Sequence, residues 1–155
     1  MQVIIMRGLP GSGKTTWAKE QIEGKETDIC PAVICSADDY HMELGKYVFR
    51  PEKVAAAHNA CLRKFLSLLE ENMAGLVVVD NTNTAAWEIA PYYRLAEMCG
   101  HVPEIVQTRC DFDVCLRRQT HGVPEAKLWA MQQNLLSERL PPHWWIRFVN
   151  TTEEQ

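Results

Sequence analysis

Eight consecutive residues near the start of the chain have the types and spacing of a phosphate-binding loop. In order they are Gly8, Leu9, Pro10, Gly11, Ser12, Gly13, Lys14 and Thr15. They fit the pattern G-x-x-x-x-G-K-[ST], in which glycines let the backbone turn successive N–H groups toward phosphate oxygens. We expect Lys14 to reach the β- and γ-phosphates of ATP and the Thr15 hydroxyl to bind Mg²⁺. The predicted contacts to ATP are Gly8, Pro10, Gly11, Ser12, Gly13, Lys14, Thr15 and Thr16.

Such a loop works between a strand and a helix, because this order aims the N–H groups and the positive end of the helix dipole at one anion. The apolar residues 3–6 predict the strand, and residues 13–23 predict the helix, which ends at Gly24. Further strands are predicted from apolar runs at residues 32–35, 76–79 and 104–108. Further helices are predicted to begin at Pro51 and to cover residues 85–99, 113–120 and 124–138.

Strands that alternate with helices indicate an α/β fold of three layers, in which a parallel sheet lies between helices. We predict a single domain over residues 1–155. Residues 42–50 predict an irregular insertion, and residues 141–149 predict a final extended segment. Ligands of such sheets bind at the carboxyl ends of the strands, so polar residues that follow strands are site candidates.

Carboxylates and arginines at these positions could support phosphoryl transfer, which needs a carboxylate near the attacking hydroxyl and positive charge on the transferred group. Asp38 and Asp39 directly follow the second strand, and either could accept the proton. Asp80 ends the third strand and could position Mg²⁺ through water or bind substrate. Arg117 or Arg118 could reach the phosphates, although only one of two adjacent helical residues faces them. The structural alternatives are helix caps for the carboxylates and exposed helix charges for the arginines.

Length and composition exclude several classes of protein. Of the 155 residues 46% are apolar and 23% are charged, and the net charge of −4 argues against broad binding to duplex nucleic acid. No apolar run is long enough to cross a membrane, and Met1 leads into a predicted strand, which leaves no room for a signal peptide. We therefore expect a cytoplasmic protein whose six cysteines are free thiols. The oligomeric state stays open.

Several motifs together resemble the P-loop polynucleotide kinases, the family that includes the phage 5′-hydroxyl kinases. The resemblance is carried by residues 8–18, by residues 38–40, by the strand that ends at Asp80 with Thr82 and Asn83 after it, and by residues 118–124. These pieces extend from the first strand to the last helix. The resemblance implies that residues 1–155 are a single P-loop kinase domain, which uses ATP and Mg²⁺ and acts on the 5′-hydroxyl end of a nucleic acid.

The resemblance also implies roles for single residues. Asp38 matches the general base of the family, and Arg118 belongs to a short lid over the phosphates, which the resemblance implies is made of the last two helices and the turn between them. We take Lys14, Asp38 and Arg118 as catalytic residues and add Arg117 to the contacts with ATP. The predicted acceptor site is formed by Asp39, His41, Asp80, Thr82 and Asn83.

Departures from the family pattern leave the acceptor open. His41 stands where the phage enzymes carry an arginine, Asn81 is an extra residue before Thr82, and the short turn at residues 120–122 lacks a second arginine. One alternative is a kinase of the same fold that acts on a hydroxymethylated base in DNA or on a small alcohol such as a nucleoside. A second alternative, of another class, is an ATP-gated binding module without phosphotransfer.

Overall fold

A parallel sheet with helices on both faces forms the centre of the computed structural model of this chain, which describes residues 1–24, 31–72 and 74–152. The strands in these ranges are β1 (Gln2–Arg7), β2 (Ala32–Cys35), β3 (Met42–Glu43), β4 (Lys46–Tyr47), β5 (Leu76–Val79), β6 (Pro103–Arg109) and β7 (Ile146–Asn150). The helices are α1 (Lys14–Ile22), α2 (Val54–Glu71), α3 (Ala86–Met98), α4 (Phe112–Arg118) and α5 (Glu125–Ser137). Short 3-10 turns cover Ala37–His41 and Pro51–Lys53.

The order of strands in the main sheet places the P-loop strand at its centre. That order is β2-β5-β1-β6-β7, and all neighbouring strands are parallel. The predicted α/β fold is therefore confirmed, and the helices begin and end close to their predicted bounds. The extended segment predicted near the end of the chain is β7, which pairs with β6 at one edge.

Both faces of β1 are buried, which explains why its residues are apolar at consecutive positions. Val3 and Ile5 pack on the side of α2 and α3. Ile4 and Met6 point to the opposite face, where Ala18 of α1 packs against them. The sheet is thus the middle of three layers, and β1 delivers the P-loop at its carboxyl edge.

Residues 42–50, predicted to be irregular, contain a small hairpin. β3 and β4 pair antiparallel, and the turn between them is formed by Leu44 and Gly45. Both turn residues have positive φ, 49° and 79°, as required in a two-residue hairpin turn that follows the twist of the strands. Each strand has only two residues, which is too short to produce an alternating pattern in the sequence.

The sequence composition led us to expect free cysteines and no membrane-spanning segment, and both can be compared with residues 1–24, 31–72 and 74–152. Free thiols are present at Cys35, Cys61, Cys99, Cys110 and Cys115, as predicted, whereas Cys30 lies outside the described residues. No helix within those ranges is long and apolar enough to span a membrane.

Candidate active site

The P-loop joins β1 to α1 at the carboxyl edge of the sheet. Gly13 has a left-handed backbone with φ 83°, and α1 begins directly after it. The N–H of Gly8 donates to the carbonyl oxygen of Thr82 over 2.9 Å, and the N–H of Ser12 donates to that of Leu9 over 3.1 Å. The loop is therefore tied both to itself and to the segment after β5. These bonds fix the loop where α1 presents its first, unpaired N–H groups.

Two glycines of the loop are packed too closely to carry a side chain. A Cβ on Gly8 would overlap Oγ1 of Thr108 in β6, the same hydroxyl that lies 2.7 Å from Oγ of Ser12. A Cβ on Gly11, whose φ is 77°, would overlap the carbonyl oxygen of Cys115 in α4. The loop thus fits between β6 and α4 without space for larger residues.

Replacing Gly11 with alanine is expected to lower the free energy of unfolding by about 3 kcal/mol or more, because the collision with α4 adds to the strain of a positive φ. Urea unfolding measures this loss. Gly24→Ala is the matched control, since its φ is 73° and no described heavy atom beyond its chain neighbours lies within 4 Å of the added Cβ. We expect it to cost about 1 kcal/mol. Equal losses in the two variants would show that α4 does not constrain the loop.

Lys14 is buried at the start of α1, and its charge is influenced by nearby carboxylates. Its Nζ donates to the carbonyl oxygen of Leu9 over 2.7 Å. Burial lowers the pKa of Lys14, and the negative charges of Asp80 and Asp38 oppose that shift. The ammonium group is therefore held at the loop by both geometry and charge, where a phosphate would compete for it.

Asp80 connects the end of β5 to the P-loop. Its Oδ2 accepts a 2.6 Å hydrogen bond from the Thr15 hydroxyl, and its buried Oδ1 accepts none from any residue in the described ranges. Burial raises the pKa of Asp80, while the Thr15 hydrogen bond and the charge of Lys14 oppose the rise. The cap of α3 is Ala85, whose N–H donates to Glu88 over 2.8 Å. Asp80 therefore does not have the capping role that was its structural alternative.

These oxygen atoms fit a hydrated Mg²⁺ ion that binds together with a nucleotide. Mg²⁺ prefers hard oxygen ligands, retains several waters, and is held by one or two protein groups plus phosphates. Thr15 Oγ1 and Asp80 Oδ1 are oxygen ligands of this kind. Across residues 1–24, 31–72 and 74–152, no cluster of three or more His, Cys, Asp or Glu residues could hold a metal ion.

Asp38 lies on the 3-10 turn that directly follows β2. The turn is capped by Ser36, whose hydroxyl accepts a hydrogen bond from the Asp38 N–H over 3.2 Å, so the Asp38 carboxylate is not the cap. Asn81 provides a second anchor, because its side-chain oxygen accepts a 2.9 Å hydrogen bond from the N–H of Ala37. These contacts fix the backbone of the turn and leave the Asp38 side chain 50% exposed.

Two residues that the sequence analysis did not select complete the surroundings of Asp38. Tyr47 lies on β4, and its hydroxyl donates to Asp38 Oδ1 over 3.3 Å. His121 lies in the turn at residues 119–124, and its Nδ1 is 3.8 Å from Asp38 Oδ2. We call α4, α5 and this turn the lid. No motif spacing marks either residue, and the one signal in the sequence is the place of His121 in the predicted lid.

Several residues predicted to bind the acceptor have their polar groups directed elsewhere. Asp39 forms a 3.2 Å ion pair with Lys64 of α2. His41 is buried among aromatic rings of the hairpin region, and the buried Asn83 donates its amide to a carbonyl of β1 over 2.8 Å. Thr82 is half-buried beside the loop. The structure therefore brings Asp38 and Asp80 toward Lys14 but does not gather Asp39, His41 and Asn83 into one acceptor site.

A cleft of about 740 Å³ lies beside the P-loop. Its lining includes Lys14, Thr15, Thr16, Trp17, Asn150 and Arg118. The exposed Arg117 is not among the described lining residues, so of the two lid arginines only Arg118 borders the cleft. Pro10 is half-buried in the loop. The volume is sufficient for a nucleotide.

The segment that includes the end of β7 holds both the P-loop and the lid arginine. Thr151 donates its hydroxyl to the carbonyl oxygen of Ser12 over 2.7 Å. The guanidinium of Arg118 donates to the carbonyl oxygens of Thr151 and Thr152, over 2.8 and 3.4 Å. Residues from the two ends of the described chain therefore meet at one cleft.

Solved kinase structures share this fold. The APS kinase CysC of Mycobacterium tuberculosis, solved with AMPPNP and APS, aligns over 99% of this chain and 90% of its own chain, with a TM-score of 0.61 and 18% identity. A chain of the Pnkp1/Rnl/Hen1 RNA repair complex aligns over 87% of this chain and 44% of its own chain, with a TM-score of 0.68 and 19% identity. At these identities the likeness establishes the fold alone.

Sequence comparisons give the family. NEDD4-binding protein 2 of Homo sapiens is 30% identical over 138 residues, which cover 85% of this chain but only 7% of that protein. This chain therefore corresponds to a small part of that relative. A family model described as an AAA domain matches residues 3–135, which is most of the chain. The chain belongs to this AAA domain family, and its fold is that of the P-loop kinases.

Proposed function

We propose that the chain transfers the γ-phosphoryl group of ATP to a hydroxyl of a nucleic acid, specifically a polynucleotide 5′-hydroxyl. The observation that carries the proposal is the position of Asp38. Its carboxylate is half-exposed at the carboxyl end of β2 and close enough to Lys14 for its charge to oppose the lowered pKa of that amine. A carboxylate in this position favours a kinase over an ATP-gated module, because binding ATP alone does not require a base.

Each charged residue has one task in the proposed reaction. The acceptor oxygen forms a bond to the γ-phosphorus, the bond from that phosphorus to the bridging oxygen breaks, and ADP leaves. The proton of the acceptor hydroxyl passes to the Asp38 carboxylate. Lys14 stabilises negative charge on the β- and γ-phosphates, and Arg118 reaches the transferred group from the lid.

Mg²⁺ would be held by the Thr15 hydroxyl and, through water, by Asp80, and when bound there it neutralises phosphate charge. Asp80 must be ionised for this role. The Thr15 hydrogen bond and the charge of Lys14 both favour the ionised carboxylate and oppose the effect of burial. This assignment takes Asp80 out of the predicted acceptor site. It gives Asp80 the other role that the sequence left open, which is to position Mg²⁺ through water.

Two classes of acceptor are compatible with the proposed chemistry, a nucleic-acid end and a small alcohol. A nucleic-acid end is supported by the resemblance to polynucleotide kinases and by the structural likeness to a chain of an RNA repair complex. A small alcohol as acceptor is supported by the likeness to APS kinase, because the aligned region covers 90% of the APS kinase chain. We favour the nucleic-acid end because the resemblance rests on an ordered set of motifs rather than on the fold.

The test is transfer of label from γ-labelled ATP with Mg²⁺ to a matched panel of acceptors. The panel contains a 5′-hydroxyl DNA oligonucleotide, its RNA counterpart, a 5′-phosphorylated DNA with hydroxymethyl bases, nucleosides and APS. Label on the 5′-hydroxyl oligonucleotides alone supports the proposal. Label only on the other acceptors would replace the substrate and keep the chemistry, while ATP binding without any transfer would favour the ATP-gated module.

Arg118→Ala is expected to lower the turnover number by about a hundredfold, because it removes positive charge at the cleft. Arg117→Ala, at the adjacent exposed position, is expected to change it by no more than about threefold. Steady-state transfer at saturating ATP measures both. Thermal melting of each variant controls for the loss of the Arg118 contacts with Thr151 and Thr152. A larger loss in Arg117→Ala would show that the face of α4 that carries Arg117 meets the phosphates.

A further inference from the structure

The hairpin and the lid meet through two stacked rings. The rings of Tyr47 and His121 lie 4.2 Å apart between centroids and are inclined by only 11°. Tyr47 belongs to β4, whereas His121 belongs to the turn between α4 and α5. Gln119 closes that turn, since its side-chain amide donates to the carbonyl oxygen of Val123 over 2.6 Å and its side-chain oxygen accepts from the Val123 N–H over 2.7 Å. His121 is therefore presented on a braced turn.

The same two residues approach opposite oxygens of one carboxylate. The Tyr47 hydroxyl donates to Asp38 Oδ1, and His121 Nδ1 lies within ion-pair distance of Asp38 Oδ2. Burial, together with the neighbouring Asp38 charge, raises the pKa of Tyr47 to about 12, so its hydroxyl keeps the proton that it donates. One partner comes from the hairpin and the other from the lid, so the direction of the carboxylate depends on both.

We propose that Tyr47 and His121 are positioning residues that orient the Asp38 carboxylate when the lid is docked on the hairpin. This inference rests on the proposed function, because it gives the pair a role only if Asp38 accepts the proton of the acceptor. A carboxylate with a hydrogen bond at one oxygen and an imidazole within ion-pair distance of the other has a preferred plane, which directs its remaining lone pairs at one position. Undocking of the lid removes His121 and frees the carboxylate to rotate. Proton acceptance would thereby be coupled to closure of the site.

The role differs from simple packing because it predicts a loss in rate without a loss in donor binding. Tyr47→Phe removes the hydroxyl and His121→Phe removes the ring nitrogens, while both variants keep a ring for the stack. We expect each to lower the turnover number for transfer by about tenfold and to leave the KM for ATP within about twofold, since a displaced base affects chemistry and not the P-loop. The double variant should lose less than the product of the two single losses, because both residues act on one carboxylate.

Removal of the stack itself tests the link to the lid. Tyr47→Ala is expected to lower transfer further and to raise ATP hydrolysis without acceptor by about threefold or more, because an undocked lid admits water. The matched controls are Tyr40→Phe, whose side chain is exposed on the 3-10 turn, and His101→Phe, just before β6 at the opposite end of the sheet. Both are expected to retain wild-type transfer.

The measurements use the full chain with ATP, Mg²⁺ and the panel acceptor that the wild type labels. Wild-type turnover in both phenylalanine variants would overturn the proposal, and so would a rise in the KM for ATP equal to the fall in turnover. Asp38→Asn separates the two levels of inference. If that variant also retains full transfer, the proposed base is wrong; if it alone loses transfer, only the role of Tyr47 and His121 is wrong.

Discussion

Replacing Lys14 with alanine is expected to reduce phosphoryl transfer by about a thousandfold or more, because it removes the buried charge that would meet the phosphates in the proposed reaction. The ammonium group is already held at the loop by the carbonyl oxygen of Leu9, so its contribution needs little reorganisation when ATP binds. Single-turnover transfer from γ-labelled ATP measures the loss in the chemical step. Calorimetric titration with a non-hydrolysable ATP analogue measures the accompanying loss in affinity.

Lys19→Ala is the matched control for this variant. Lys19 lies on the same helix but is exposed and is not among the described residues that line the cleft. We expect it to change transfer by no more than about twofold. Thermal melting should show both variants folded. Similar activity in Lys14→Ala and Lys19→Ala would contradict the assignment of the P-loop as the phosphate site.

Replacing Asp38 with asparagine is expected to reduce transfer by about two to four orders of magnitude while the affinity for ATP stays within about threefold. Asparagine retains the shape of the side chain but cannot accept the proton of the acceptor. Asp38 is not part of the loop proposed to bind ATP, so donor binding should be spared. Measurement of transfer at saturating acceptor, together with titration of the ATP analogue, separates the two effects.

Asp113→Asn provides the comparison for a charge change alone, because Asp113 is exposed in the first turn of α4. It is expected to retain transfer within about twofold. A loss of ATP affinity in Asp38→Asn that equals its loss of transfer would remove Asp38 from the role of base. It would instead indicate a contribution to the nucleotide site through the charge of Lys14.

The donor half of the site could be predicted because consecutive residues encode it. The motif from Gly8 to Thr15 by itself predicts a strand, a phosphate-binding loop and a helix. The apolar runs before and after it in the chain predict the parallel sheet. Asp38 and Asp80 could be selected because parallel strands end at the same edge. The loop, these two carboxylates and Arg118 do lie near one another in the fold.

The acceptor half depends on side-chain directions that the spacing does not encode. Asp38 and Asp39 are adjacent, yet one carboxylate meets Tyr47 and the other pairs with Lys64. Spacing alone could not distinguish them, because the hairpin and α2 determine which oxygens are covered; only the family resemblance selected Asp38. His121 reaches Asp38 only because the lid folds back over the sheet edge, and no local pattern reports a contact of that range.

The hydrogen bond from Thr151 to Ser12 has a consequence for the order in which the protein is made. Its partners are 139 residues apart, so at about 5–20 residues per second the ribosome needs on the order of ten seconds to supply the second partner after the first. For most of that interval the nascent chain contains the P-loop but not Thr151, which braces it. A nucleotide bound at the loop as proposed would therefore stabilise a chain that includes residue 151 more than one that stops short of it.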